Sequence, residues 1–159
     1  MMIDSVTNFR IVGLGGMGVL TASQIVAQVF FRQGYAVKKA EVHGMSQRGA
    51  SVCSDVRVGP QVWSPTIPAG EVGYLVLLDP QERPLYEAEL RPQAVVLEPA
   101  MIEKARLPHS RALNVAMLGV LSRHFQIPGA AWLEVIREVF PPRLHAANEA
   151  AFLAGCDSP

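Results

Sequence analysis

Apolar and polar positions along the chain fall into blocks whose period changes from two to 3.6 and back. Phe9-Arg10-Ile11-Val12-Gly13-Leu14 reads as a strand that runs into a glycine-rich turn. A helix of about Val19 to Gln33 follows, with Leu20, Ile25, Val26, Val29 and Phe30 as its apolar positions and Gly34 at the stop. Tyr35 to Val42 predicts a second strand, which would complete a βαβ unit. From Ala50 to Val58, Val52, Ser54, Val56 and Val58 alternate with Ser51, Asp55 and Arg57, the pattern of a strand with two unlike faces. Gly59-Pro60 then predicts a turn and Gln61-Val62-Trp63 a short return strand, together a β hairpin. Ser64 to Gly70 is a loop stiffened by two prolines. Val72 to Leu78 is nearly all apolar, as in the middle of a parallel sheet. Asp79-Pro80 ends it, and a short helix over Gln81 to Leu90 and a strand over Ala94 to Leu97 follow.

The last third predicts helices over Ala112–Leu121, Ala131–Val139 and Leu144–Leu153, separated by Pro128-Gly129 and Pro141-Pro142. Strand and helix thus alternate, with a hairpin inserted and helices at the end. The expectation is a single α/β domain over residues 1–159: three layers, Rossmann-like, with a mostly parallel sheet and C-terminal helices.

Composition narrows the partners. Half the residues are hydrophobic and 18% are charged, and 14 basic residues balance 14 acidic ones. Zero net charge argues against nucleic acid, because phosphate binding normally leaves an excess of Lys and Arg. A low charge fraction on a small domain hints at surface covered by another subunit. Cys53 and Cys156 are the only cysteines and form no C-x-x-C pair, so the chain alone lacks the thiolates for an iron–sulfur cluster or a structural zinc site. They are expected as reduced thiols, and no metal site is expected. Met1 to Ser5 lacks the build of a signal peptide, and no apolar run reaches membrane-spanning length. The expected location is the cytoplasm, with no membrane partner.

Two stretches carry candidate chemistry. Gly13-Leu14-Gly15-Gly16-Met17-Gly18 joins a strand to a helix start, where backbone N–H groups can meet an anion. Gly13, Gly15, Gly16 and Gly18 also serve a tight turn and close helix–strand packing, and that reading comes first. Glu41 stands near the spacing at which a dinucleotide-binding protein carries its ribose-binding acid, so a stand-alone dinucleotide module remains an alternative. The second stretch is Glu41-Val42-His43-Gly44-Met45-Ser46-Gln47-Arg48-Gly49-Ala50. A mere connection does not need His43, Gln47 and Arg48 together. Arg48 suits a carboxylate or phosphate of a ligand, or a carboxylate across an interface. His43, Ser46 and Gln47 suit hydrogen bonding to a ligand or to the loop itself, and Gly44 and Gly49 a backbone that needs positive φ or close approach. Asn114, at a helix start, is as fit for a cap as for a contact. Trp63 and Trp132 are expected as core or interface anchors, and Asp79 as a candidate at a strand's carboxyl end.

Taken together, these motifs resemble the gamma subunit, or gamma domain, of the 2-oxoacid:ferredoxin oxidoreductases over about Phe9 to Gly155. Gly13 to Val19 resembles the family's G-x-G-G-Q-G-V turn, and Asn114-Val115-Ala116-Met117-Leu118-Gly119 its N-x-x-x-L-G helix. Glu41 to Gly49 resembles the E-V-H-G-M-A-Q-R-G loop of the indolepyruvate (arylpyruvate) branch. Met17 stands where the family usually has glutamine, and Glu98 to Arg111 is shorter than the family's stretch. The resemblance implies a subunit that is inactive alone. Thiamine diphosphate and iron–sulfur clusters would sit on partner subunits, ferredoxin would be reached through the complex, and coenzyme A would be a substrate of the whole. On the chain itself it implies no bound cofactor and no catalytic residue. The loop and Asn114 would then help form the coenzyme A or substrate pocket, or an interface. The remaining alternatives are a scaffold paralogue and, for the isolated chain, a homodimer.

Overall fold

In the computed structural model the chain folds around one five-stranded sheet. The structure describes residues 2–43 and 49–159, with His43 in its backbone alone. The strands are β1 (Thr7–Leu14), β2 (Ala36–His43), β3 (Ser51–Gly59), β4 (Val72–Leu77) and β5 (Leu90–Leu97), in the order β2-β3-β1-β4-β5. β1, β4 and β5 run parallel to one another, and β3 runs antiparallel to both its neighbours, β1 and β2. Four strands therefore share one direction and β3 opposes them. The helices are α1 (Val19–Arg32), α2 (Arg83–Tyr86), α3 (Leu113–Ser122), α4 (Gly129–Val139) and α5 (His145–Cys156).

Alternation along the strands divides the core into two. Phe9, Ile11, Val56, Val58, Tyr74 and Val76 point to the side covered by α1, α3, α4 and α5. Phe9, Phe30, Tyr74 and Phe125 meet there with ring centroids 5.0–5.5 Å apart, a separation at which aromatic pairs attract beyond their buried area. Val12, Cys53, Leu75 and Leu77 point to the opposite side, where Ile67 of the 60–70 loop and Tyr86 of α2 cover them. The three layers are thus four long helices, the sheet, and a thinner cover of loop and short helix.

The hairpin differs from the one expected. Residues 61–63 form no strand, and β3 pairs instead with β2 over eight positions, from Ala36↔Gly59 to His43↔Val52. The return segment is pulled across the sheet: the Arg57 guanidinium donates to the carbonyls of Ser64 and Thr66, at 2.8 and 3.0 Å. Val62 and Ile67 are thereby buried. The 41–50 loop thus connects two antiparallel strands, β2 and β3. As a further consequence β2 lies one strand away from β1 rather than beside it.

The C-terminal helices are close to expectation. α3 and α5 cross at Gly119 and Gly155, where a Cβ on either would run into backbone of the other helix, at the Phe152 and Ala116 carbonyl oxygens. Trp132 is fully buried, as a core anchor, whereas Trp63 is 87% exposed. The stretch 98–111 holds three single turns of 3₁₀-helix, at Pro99–Met101, Lys104–Arg106 and Ser110–Ala112.

Candidate functional site

The carboxyl ends of the parallel strands, where open α/β sheets place ligands, gather the three stretches singled out in the sequence. β1 ends at Leu14, and the glycine-rich turn carries the chain into α1. Gly16 and Gly18 take φ of 91° and 81°, values that an L side chain enters only with strain. Gly13 is needed for another reason: a Cβ there would lie 3.0 Å from Leu78 Cβ and 3.2 Å from Val19 Cγ2. The turn is closed by the Met17 N–H donating to the Leu14 carbonyl at 3.1 Å. The Met17 thioether in turn accepts from the Leu14 N–H at 3.3 Å. A weak acceptor thus occupies the side chain of the departing residue.

The hairpin tip and the glycine turn touch directly. The Gly15 N–H donates to the Ala50 carbonyl at 2.8 Å, and a Cβ on Gly15 would sit 3.4 Å from the Gly49 nitrogen. Gly49 has φ 88°, as its position in a tight loop led one to expect. On the opposite face of the sheet the Ser51 hydroxyl donates to the buried Glu82 carboxylate and lies 3.3 Å from the Tyr86 hydroxyl. The loop's exit is pinned from both sides. Gly44, Ser46, Gln47 and Arg48 lie outside the described residues, as does the side chain of His43.

Asn114 completes the arrangement from the helix layer. It is 5% exposed and caps nothing on α3, whose start has no side-chain cap. Its Nδ2 donates instead to the Gly18 carbonyl at 3.2 Å, and a Cβ on Gly18 would strike the Asn114 amide. Asn114 is therefore not a cap of α3, and its amide ties that helix to the glycine turn.

The glycine turn, the start of α1 and Val52 of β3 line a cleft of about 390 Å³, with Leu14, Gly15, Gly16, Gly18 and Thr21 among its walls. α1 begins at its edge with Gly18 as N-cap, no side-chain cap and no acid in its first turn. The N–H groups of that turn have no acceptor within the helix, the ordinary state of a helix start. The cleft therefore offers N–H donors without an acceptor among the described residues and the positive end of a helix dipole, which suits an anionic group such as a phosphate or carboxylate. None of its described lining residues is ionisable, so this part of the site is built to bind rather than to transfer protons.

The same geometry is poor for a dinucleotide. The strand that would carry the ribose-binding acid is separated from β1 by β3, and Glu41 is engaged by Lys39 at 2.6 Å. Asp79 spends its carboxylate on the Gln81 N–H, at 3.0 Å.

A polar cluster that sequence reading missed underlies the site on the thinner side of the sheet. Arg10 of β1 and Asp55 of β3 stand opposite in register and form a two-pronged ion pair of 2.7 and 2.8 Å. That pair raises the Arg10 pKa further above its ordinary value. The guanidinium also lies 5.6 Å from the centre of the Tyr86 ring. Beside it burial pushes the Cys53 thiol up to about 12, so Cys53 is a neutral core thiol rather than a nucleophile. The available signal was a charge on the same face of each of two apolar strands, Arg10 in β1 and Asp55 in β3.

Comparison with known proteins agrees with the fold described above. The family model for pyruvate ferredoxin/flavodoxin oxidoreductase matches residues 8–100, more than half of the chain. The indolepyruvate oxidoreductase subunit IorB of Archaeoglobus fulgidus is 42% identical over 90 residues, 57% of this chain and 44% of that protein. Its namesake from Thermococcus kodakarensis is 41% identical over 75 residues, 47% of this chain and 37% of that protein. The chain thus spans less than half the length of the curated relatives it matches. Among solved structures, a keto/oxoacid ferredoxin oxidoreductase gamma subunit from Geobacter sulfurreducens superposes with TM-score 0.73 at 19% identity, covering 94% of this chain and 95% of that one. The 2-oxoglutarate:ferredoxin oxidoreductase of Magnetococcus marinus, solved with 2-oxoglutarate, coenzyme A and succinyl-CoA bound, gives TM-score 0.79 at 18% identity. It covers 96% of this chain and 31% of that one.

Proposed function

The chain belongs to the pyruvate ferredoxin/flavodoxin oxidoreductase family, and from that premise we propose that it is the gamma-type subunit of a 2-oxoacid:ferredoxin oxidoreductase. The complex would convert a 2-oxoacid and coenzyme A to an acyl-CoA while reducing ferredoxin, in the cytoplasm. Names of the relatives and the Glu41–Gly49 loop favour indolepyruvate or another arylpyruvate as the 2-oxoacid. Thiamine diphosphate, which supplies the decarboxylation chemistry, and the iron–sulfur clusters would be held by partner subunits. Among the described residues of this chain, no helix is long and apolar enough to cross a membrane.

One observation carries the reading. The glycine turn, linked to Ala50 of the hairpin and to Asn114, lines together with Val52 a cleft at the start of α1. The chemistry fits the phosphate or acyl end of coenzyme A, or a substrate carboxylate. Gly49, together with His43, Gly44, Ser46, Gln47 and Arg48 of the same tip, would complete the pocket or meet the partner subunit.

The test is reconstitution. Co-expressed anaerobically with its catalytic partner, the chain is expected to be required for coenzyme A-dependent viologen reduction and to favour indolepyruvate or phenylpyruvate over pyruvate and 2-oxoglutarate. Preference for another oxoacid would discard the arylpyruvate assignment and keep the subunit. A rate unchanged when this chain is omitted would discard the subunit reading itself. Arg48→Ala should lower the rate of the reconstituted complex at least tenfold while leaving the melting temperature of this chain in place.

A further inference from the structure

Away from that cleft, the helix layer carries two hollows that share His109 and Ser110 as a common wall. One, of about 470 Å³, is lined by His109, Ser110, Arg111, Phe140, Leu144 and Asn148. The other, of about 250 Å³, adds Ile102, Lys104, Leu107 and Leu113. The larger lies within the usual range for small-molecule sites, and both have their composition: an apolar lining with a few polar groups.

Charge is uneven here in a chain that is neutral overall. Between Lys104 and Arg111 the sequence carries Lys104, Arg106, His109 and Arg111 and no acid; between Phe140 and Asn148 it carries Arg143 and His145 and no acid. Arg106 is held by Asp157, and Glu149, just beyond the second stretch, is held by Arg137. Lys104 and Arg111 line the hollows with no carboxylate partner among the described residues. Asn148 adds an independent observation. It is 4% exposed, its Nδ2 donates to the Leu144 carbonyl at 3.0 Å, and its Oδ1 accepts no hydrogen bond from any described residue. That oxygen is not one of the fully buried polar atoms left without a partner, which are Ser54 Oγ and Trp132 Nε1 among the described residues, so it keeps access to solvent and stays available to a donor that a ligand brings.

We propose that this groove is a second ligand site, separate from the cleft at the start of α1, for a small anion with an apolar body and one N–H or O–H donor. Arg111 and Lys104 would take the carboxylate or phosphate, Phe140, Leu144 and Leu113 the apolar body, and Asn148 Oδ1 the donor. The site stands independently of the activity proposed above and is tested on the isolated full chain.

Indole-3-acetate has the required parts, and its titration can be followed by amide chemical shifts. The shifts should cluster at residues 109–113 and 144–148. R111Q, at an exposed position, should weaken binding at least tenfold, and neutral 3-methylindole should bind at least tenfold more weakly than the acid. The N-methylated acid, which lacks the donor, should lose several-fold without any change to the protein. Comparing phenylacetate with phenyl phosphate then identifies the preferred anionic group. The proposal is overturned by any one of four results: no shifts at 10 mM ligand, R111Q binding like the parent, no loss on N-methylation, or shifts confined to Leu14–Thr21.

Discussion

At the residue scale, Gly18 and Asn114 act as one unit. Gly18→Ala forces an L residue into φ 81° and drives its Cβ into the Asn114 amide. The left-handed strain alone costs about 1–2 kcal/mol, so a clear fall in the urea midpoint is expected. Asn114→Ala removes one hydrogen bond, at about 1 kcal/mol, while the Gly18 carbonyl keeps the Ala22 N–H at 3.0 Å. It should therefore cost less than Gly18→Ala, and the reverse order would show that the pair is not the contact described. Cys53 makes a pH prediction. An acid whose pKa is raised on folding, here from 9.0 to about 12, favours the fold below pH 9 and loses that contribution as pH rises from 9 towards 12. Cys53→Ser should accordingly flatten the decline in melting temperature over that range. In the native protein iodoacetamide should label Cys156, which is half-buried, before Cys53.

At the element scale, the α3–α5 crossing is set by Gly119 and Gly155, which let the two backbones touch. Neither position can take a methyl group without moving a helix, and overpacking of this kind costs about 1–3 kcal/mol. Gly119→Ala or Gly155→Ala should lower the melting temperature by several degrees, whereas Gly129→Ala, whose Cβ meets only Phe152 Cε1 at 3.9 Å, should be nearly silent. The elements were largely legible, because hydrophobic period and glycine or proline stops mark each strand and helix. The pairing was not. Gln61-Val62-Trp63 has the local pattern of a strand, and only the pull of Arg57 on the Ser64 and Thr66 carbonyls shows that it crosses the sheet instead. The same limit applies to the site. Its glycines are visible in sequence, but the Gly15–Ala50 and Asn114–Gly18 links span 35 and 96 residues and leave no local trace.

At the scale of the whole molecule, the sheet is protected unequally. Four long helices cover one side, and on the thinner side a buried ion pair reinforces the β1–β3 ladder. Arg10 and Asp55 have side chains 13% and 9% exposed. Removing one partner leaves the other charge buried, a loss of about 3–5 kcal/mol, while replacing both by apolar residues costs much less. Asp55→Asn should therefore destabilise more than the Arg10→Met, Asp55→Leu double variant, as measured by denaturant unfolding.

The placement of β3 has one more consequence, for the order in which the chain assembles. β1 leaves the ribosome first, yet its neighbour on one side arrives only after β2 has been made and the chain has doubled back. Until the β2–β3 hairpin inserts, β1 carries a bare row of amides and carbonyls beside an apolar face, an invitation to foreign strands. The hairpin is local and should close early, and its docking onto β1 should be the committing event. In pulsed hydrogen exchange, amides paired between β2 and β3 should gain protection before those paired between β1 and β3. Weakening that docking should raise aggregation during synthesis more than it lowers the stability of the finished fold.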